Sequence, residues 1–163
     1  MGMGFPSAII LALFLLVAAG AANTEEKVPI GMVEDVILLP WGIKMPARID
    51  TGAARSSLDA RELKIKDNVA EFKLPKKYGG RKLQLPVIGW VQTRSAEARE
   101  QRPVVEVTFC IGPRRIRAEV NLNDRSMVRY PLIIGRDVLK ENFVVDCLRS
   151  KCLRPNCPEV PLK

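Results

Sequence analysis

Four consecutive residues, Asp50 to Ala53, have the composition of a catalytic loop. They follow an apolar segment, residues 45–49, that is typical of a β-strand, so Asp50 is expected at a strand end. Thr51 adds a hydroxyl, and Gly52 lets the backbone pass close to a neighbouring element. A carboxylate held on such a loop suits general acid–base chemistry on water. Taken alone, the tripeptide Asp50-Thr51-Gly52 is a weak signal, because such tripeptides are also common in ordinary turns.

The chain of 163 residues contains no histidine, and this limits its chemistry. Ser-His-Asp and Cys-His catalysis, HExxH metalloprotease sites and zinc sites that need imidazole are excluded. Hydrolysis would rely on carboxylates, Lys, Ser, Thr or Cys. We expect no metal and no other cofactor, because Asp50 to Gly52 lack the spacing of metal ligands and no G-x4-G-K-[ST] nucleotide motif is present.

A second motif lies well downstream of Asp50. An apolar run that includes Ile133 and Ile134 ends at Gly135, and Arg136 then leads into residues 137–142, the one segment with a helical pattern. The run is expected to form a core strand. Gly135 would allow a close approach between this strand and a neighbour.

Short β-type runs dominate the rest of the chain. They cover residues 36–39, 45–50, 62–65, 70–74, 82–85, 104–111, 115–122 and 143–146. Asp67-Asn68 and Gly112-Pro113 are expected to form turns between them. Residues 75–103 are rich in Pro and Gly and are predicted to hold mobile loops. Many short strands with one short helix predict an all-β domain, a small closed β-barrel.

The amino-terminal segment indicates export. Residues 1–22 carry no charged side chain, and an apolar run of 12 residues, 8–19, ends in small residues before a polar stretch. This pattern predicts a cleaved signal peptide over residues 1–22 and a periplasmic protein; the alternative is an uncleaved membrane anchor. The domain would then cover residues 23–146, followed by a Cys- and Pro-rich tail, residues 147–163.

Export makes the four cysteines, Cys110, Cys147, Cys152 and Cys157, candidates for disulfide bonds. Four cysteines allow three pairings, and the sequence does not choose among them. A thiolate metal site is the less favoured alternative, since the spacing is not C-x2-C and no histidine is present. The tail is expected to be a loop tied back onto the domain.

The composition is that of a folded domain, with 27% charged and 47% hydrophobic residues and a net charge of +8. The basic clusters are interrupted by apolar residues, so we interpret them as solvated strand faces and expect no nucleic-acid partner. A basic surface can nevertheless steer acidic peptides or attract a membrane surface. Membrane attachment is expected only through an uncleaved signal segment.

Four stretches in matching order resemble the retropepsin-like aspartic proteases. They are residues 49–60 (IDTGAARSSLDA), 102–107 (RPVVEV), 123–127 (NDRSM) and 130–139 (YPLIIGRDVL). The chain looks most like the bacterial branch often labelled "ATP-dependent zinc proteases", which is linked with a ribosomal-protein glutamate ligase. The resemblance covers about residues 30–146 and implies a small closed retropepsin-like barrel.

The resemblance also implies residue roles. Asp50 would be the catalytic carboxylate, and Thr51 would link two active-site loops through its hydroxyl. The remaining matched residues would shape the loop and line the cleft (Gly52, Ala53), form the strand beside it (Ile133, Ile134, Gly135) and start the helix behind it (Arg136). Viral members carry acidic residues soon after the D-T-G-A motif, and one of them pairs with the arginine. Here Ala54 and Arg55 stand there, so Arg136 must find another partner.

Carboxylate-based peptide hydrolysis needs one carboxylate as the base and another as the acid, but the chain has one D-T-G. The sequence therefore predicts an exported homodimeric aspartic endopeptidase, with Asp50 supplied by each subunit and a peptide or protein as substrate. One alternative is a non-catalytic peptide-binding module on the same fold. Another is a disulfide-stabilised envelope protein without a functional cleft. The segment between Trp90 and Gln101 is a candidate flap.

Overall fold

The computed structural model describes Met1, residues 26–94 and residues 99–157. The predicted signal peptide, apart from Met1, lies outside the described residues. The described chain forms eleven strands, one α-helix and a 3₁₀ turn. The strands are β1 (Val28–Ile30), β2 (Val33–Leu39), β3 (Ile43–Ile49), β4 (Ser56–Asp59), β5 (Arg61–Lys66), β6 (Val69–Lys73), β7 (Lys82–Arg94), β8 (Arg99–Ile111), β9 (Arg114–Asn123), β10 (Leu132–Ile134) and β11 (Phe143–Val145). The helix is α1 (Arg136–Asn142), and the 3₁₀ turn is Lys76–Tyr78.

Six strands close into a barrel in the order β2-β3-β10-β4-β9-β8, and β8 pairs back onto β2. Strand β10 inserts between β3 and β4, parallel to β3 and antiparallel to β4. This places Ile134 opposite Ile49, the last residue before Asp50. The second sequence motif therefore lies against the strand that carries the first. The predicted all-β barrel with one short helix is confirmed.

Alternating side chains fill the barrel. On β8, Val105, Val107 and Phe109 are at most 2% exposed, and on β9 Val120 is fully buried. Each such side chain contributes roughly 1.5–3 kcal/mol relative to an exposed one. The turn at Gly112, with φ +54°, joins the two strands as predicted.

The loops predicted over residues 75–103 are largely wrong. Strand β7 extends to Arg94 and β8 begins at Arg99, so the two form a long hairpin. The pairing register shifts between Val87 and Gly89, which marks a β-bulge. The bulge interrupts the regular backbone hydrogen bonds locally, so the strand tolerates its Pro and Gly residues there. The candidate flap is therefore the distal part of a hairpin, and its residues 95–98 lie outside the described part of the chain.

Strand β4 was missed by the sequence analysis because three of its four residues are polar, yet all four are buried. Their polar groups find partners inside the domain. The Ser57 hydroxyl donates to Asn121 Oδ1 at 3.0 Å, and the Asn121 amide donates to the Ser56 carbonyl at 2.7 Å. Strand β1, also missed, pairs with β11 in a separate parallel sheet.

One disulfide closes the tail onto the barrel. Cys110 at the end of β8 is bonded to Cys157, with their Cα atoms 5.8 Å apart. Cys147 and Cys152 are free thiols, so the expectation of a disulfide does not extend to them. Burial, reinforced by the charge of Glu34, raises the pKa of the Cys152 thiol. Residues 147–157, the described part of the tail, form a loop tied back onto the domain, as predicted.

The fully buried carboxylate of Glu34 supports the same tail. It accepts hydrogen bonds from the backbone N–H groups of Gly31 at 2.7 Å and of Cys152 and Leu153 at 3.0 Å each. These bonds offset the cost of burying the carboxylate. Because the neighbouring Met32 carbonyl accepts the Ile49 N–H at 2.9 Å, this region also supports the strand that ends at Asp50.

Candidate active site

Asp50 lies at the end of β3, in a loop that fixes one of its oxygens. The N–H groups of Gly52 and Ala53 donate to Asp50 Oδ1 at 3.0 and 3.1 Å. The Asp50 N–H donates to the Ile134 carbonyl of β10 at 2.9 Å. Among the described residues, Oδ2 has no hydrogen-bond partner. The loop thus holds the carboxylate in one orientation and leaves one oxygen available for chemistry.

Two glycines shape this loop: there is no space for a side chain at Gly135, and a side chain at Gly52 would be in tight contact with Asp50. A Cβ at Gly135 would lie 2.7 Å from the Arg55 carbonyl carbon and 3.0 Å from the Ala53 carbonyl oxygen. A Cβ at Gly52 would lie 3.2 Å from Asp50 Oδ1. The first contact would separate β10 from the loop, and the second would crowd the carboxylate.

Hydrogen bonds connect the start of α1 to Ser56, the first residue of β4, just after the Asp50 loop. The two Asp137 carboxylate oxygens accept hydrogen bonds from the Ser56 N–H and the Ser56 hydroxyl, both at 3.0 Å. The same hydroxyl accepts the Gly135 N–H at 3.1 Å. The contact between Ser56 and Asp137 is not predicted by the sequence motifs. The available signal was their place inside the two matched stretches, but their pairing depends on tertiary contact.

Arg136 finds its partner in the loop backbone. Its Nη1 donates to the carbonyls of Thr51 at 3.0 Å and Gly52 at 2.7 Å, and its own N–H donates to the Ala53 carbonyl at 2.9 Å. The guanidinium therefore replaces an acidic partner with two backbone carbonyls. Arg55, where viral members have an acidic residue, instead pairs with Glu119 at 2.7 Å.

If the chain hydrolyses peptides as its sequence predicts, Arg136→Gln should lower the kcat of that hydrolysis about 10-fold with little change in KM, because charge-assisted bonds of roughly 1.5–3 kcal/mol hold the loop carbonyls. Arg136→Lys should retain an intermediate rate, since one ammonium can reach a carbonyl but lacks the planar fork. Steady-state kinetics check this, with the exposed Lys140→Gln on the same helix as a control. Equal losses in the Arg136 and Lys140 variants would contradict the role assigned to Arg136.

A cleft of about 490 Å³ lies beside the loop. It is bounded by the loop after Asp50, by the β7 hairpin and by the barrel wall; its lining residues are Ala53, Ala54, Arg55, Ser57, Val91, Gln92, Thr93, Arg102, Asn121, Arg125 and Ile133. Asp50 itself is adjacent to this lining but not part of it. Its volume lies within the range of pockets that bind small ligands, about 300–1,000 Å³.

Three arginines line the cleft, and two of them are ion-paired, Arg55 with Glu119 and Arg102 with Glu100. Burial is the main cause of a lowered pKa for Arg125, reinforced by Arg102 and opposed by the carboxylates of Asp59 and Asp50. Its Nε donates to the Tyr130 carbonyl at 3.1 Å, and its backbone N–H donates to buried Asp59 at 2.9 Å. These bonds hold the guanidinium at the cleft wall, where the negative charge of Asp50 acts to raise the pKa of Arg125.

Thr51 is exposed, and its hydroxyl makes no hydrogen bond within the described chain.

In residues 26–94 and 99–157, no three Cys, Asp or Glu side chains are grouped to hold a metal ion. No helix in the described part is long and apolar enough to cross a membrane.

Residues 29–155 match the family model of the RimB-like proteins, described as retropepsin-like aspartic endopeptidase RimB. The chain belongs to the RimB-like family. This confirms the resemblance found in the sequence. No curated protein matches the chain in sequence.

Solved structures similar to this RimB-like chain include the following two. Protein Lpg0085 of Legionella pneumophila, of unknown function, is 27% identical, with a TM-score of 0.67 over 78% of this chain and 98% of that one. The simian foamy virus protease is 18% identical, with a TM-score of 0.40 over 65% of this chain and 90% of that one.

Proposed function

We propose that this RimB-like protein is a homodimeric aspartic endopeptidase whose site is completed by Asp50 from each of two chains. The observation that carries the proposal is the Asp50 carboxylate, which has Oδ1 bonded to two loop amides and Oδ2 free. A single such carboxylate cannot act as base and acid in the same step. A second copy related by a two-fold axis would supply the missing group.

Two Asp50 carboxylates brought together would share one proton, because like charges at close range cannot both ionise. The ionised member would take a proton from water as the water attacks the peptide carbonyl. The protonated member would donate to the carbonyl oxygen, giving a tetrahedral intermediate. Proton transfer to the leaving amine then releases the two peptide products. The exposed Thr51 hydroxyls would hold the two loops in register.

The disulfide between Cys110 and Cys157 supports an oxidising compartment, since such bonds are rare in reducing cytosol. Together with the apolar segment at residues 8–19, it supports export to the periplasm. Neither feature identifies the substrate. Because both support export, we infer that the peptide or protein substrate lies outside the cytoplasm.

A non-catalytic peptide-binding module is the second candidate, because one chain alone forms the cleft and Asp50 is not in its lining. Incubation with a mixed peptide library at several pH values, followed by mass spectrometry, separates the two. An endopeptidase produces internal cleavages that Asp50→Ala abolishes. A binding module retains peptides without cleaving them, and its affinity does not depend on Asp50.

Chelators are expected to leave the activity unchanged. The motivation is the lack of histidine in the chain and of any grouped Cys, Asp and Glu ligands in the described residues. The check is the cleavage rate before and after EDTA treatment and dialysis. Loss of activity that added Zn²⁺ restores would contradict the carboxylate-only mechanism.

A further inference from the structure

The described part of the tail completes the hydrogen bonding of β2 at the end near Asp50. Strand β8 pairs with β2 over residues 36–39, so the first residues of β2 have no partner in β8. The tail takes this place. The Lys151 N–H donates to the Val33 carbonyl at 2.6 Å, and the Arg149 carbonyl accepts the Met32 N–H at 2.8 Å. The tail therefore extends the wall of the barrel.

Met32 connects this tail to the strand that carries Asp50. Its N–H is bonded to the tail, and its carbonyl accepts the Ile49 N–H at 2.9 Å. The contact is close, because a Cβ at Gly31 would lie 2.7 Å from the Arg149 carbonyl oxygen. One residue thus lies between the tail and the end of β3, and it forms a direct path for coupling between them.

The disulfide between Cys110 and Cys157 fixes the other end of the tail. Beside it, the Asn156 N–H donates to the Gly112 carbonyl at 2.8 Å. Leu153 packs so closely on this turn that a Cβ at Gly112 would lie 2.8 Å from Leu153 Cδ1. Because the disulfide tethers the tail, a tail that leaves β2 remains a closed loop with little conformational entropy to gain.

The disulfide is placed for attack by an external thiol. Cys157 is half-buried, whereas Cys110 is 2% exposed, so an attacking thiolate reaches the Cys157 sulfur first. The Cys157 N–H donates to Cys110 Sγ at 3.1 Å and would stabilise the thiolate that leaves. Cys152 of the same tail is a poor nucleophile, because burial raises the pKa of its thiol.

We propose that the Cys110–Cys157 disulfide is a thiol-exchange site at which a dithiol reductant releases the tail and loosens the end of β3. One thiolate of the dithiol attacks Cys157 Sγ. The S–S bond breaks, and its electron pair passes to Cys110 Sγ, which takes up a proton. The second thiolate then displaces Cys157, which is protonated in turn, and the dithiol becomes a cyclic disulfide.

Release exposes the hydrogen-bonding groups of Met32 and Val33 that the tail had covered. It also removes two of the three N–H donors bonded to Glu34, so water replaces them. The Ile49 bond to Met32 then opens more often. Because the Asp50 N–H is bonded to β10 and not to the tail, the loop loosens without unfolding. The proposed hydrolysis, on which this last consequence rests, becomes slower.

Native-state hydrogen exchange by NMR tests the release without a substrate. The protein carries Cys147→Ala and Cys152→Ala, so dithiothreitol, the dithiol probe, acts on one disulfide only. After reduction, the Lys151 N–H should exchange about 10²-fold faster, because the tail is no longer a closed loop in the chain-entropy model. The Ile49 N–H should open together with Lys151, at a lower free energy than the core N–H of Val105.

The matched control is Cys110→Ala with Cys157→Ala in the same background. Its exchange should equal that of the reduced protein, and dithiothreitol should not change it. Oxidation of the reduced protein in air should restore slow exchange at Ile49. Circular dichroism, together with slow exchange at Val105, checks that each form is folded.

Exchange of Ile49 together with Val105, and not with Lys151, overturns the proposal, because the disulfide would then stabilise only the domain as a whole. Unfolding of the entire domain on reduction overturns it for the same reason. A disulfide that dithiothreitol reduces only in denaturant is not an exchange site and also overturns it. None of these results depends on hydrolysis. A lack of cleavage by oxidised and reduced protein alike would therefore count against the proposed endopeptidase alone.

Discussion

The substitution Asp50→Asn is expected to abolish peptide hydrolysis while leaving the domain folded. The substitution keeps an Oδ1 acceptor for the Gly52 and Ala53 N–H groups, so the loop retains its hydrogen bonds. It removes the base and the acid of the proposed dyad together, because both come from the same position. General acid–base groups contribute typically 10²–10⁴-fold each, so kcat/KM should fall by at least about 10³-fold.

Asp67→Asn is the matched control for this substitution. Asp67 is an exposed residue with φ +48°, a conformation that Asn adopts readily, and it lies in the turn between β5 and β6, which are not part of the six-stranded barrel. Its activity and its thermal unfolding should equal those of the wild type. Turnover of Asp50→Asn at the wild-type rate, in protein free of contaminating protease, would refute the catalytic assignment of Asp50.

Removing the disulfide is expected to cost about 4 kcal/mol of unfolding free energy in the chain-entropy model, since Cys110 and Cys157 are separated by 47 residues. The double variant Cys110→Ala with Cys157→Ala should therefore unfold at a Tm lower by roughly 10 °C. Urea denaturation of the oxidised protein and of the variant measures the difference. The tail held by Glu34 should be the first region to open.

Cys147→Ala is the control for the disulfide prediction, because Cys147 is an exposed free thiol. Its stability should be unchanged, and peptide mapping without reduction should recover Cys110 linked to Cys157. Equal stability of the oxidised protein and the double variant would contradict the disulfide account. Recovery of four free thiols from protein isolated without a reducing agent would also count against the oxidising compartment.

The barrel was predictable because its signal is local. Alternation on β8 places Val105, Val107 and Phe109 on one face, and that pattern survives in the folded core. The hairpin of β7 and β8 was not predictable in the same way, because its Pro and Gly residues are typical of loops. Only the pairing partner shows that a bulge near Gly89 accommodates them.

The two motifs around Asp50 and Gly135 could be picked out in the sequence, but the contacts between them could not. The D-T-G loop and the run ending at Gly135 identify it through the family resemblance, and the fold brings them together. Arg136 bonds to two backbone carbonyls, and because every residue has a carbonyl, the residue types in the sequence do not predict this contact. The burial of Glu34 was equally unpredictable from the sequence, because its hydrogen-bond partners include backbone amides of the distant tail.

The shared site is tested most directly by mixing wild-type and Asp50→Asn chains at constant total concentration after subunit exchange. If each active site needs Asp50 from both chains and pairing is random, activity follows the square of the wild-type fraction. An equal mixture should then retain about one quarter of the activity. Retention of about one half, with activity linear in the wild-type fraction, would mean that each chain works alone and would contradict the shared dyad.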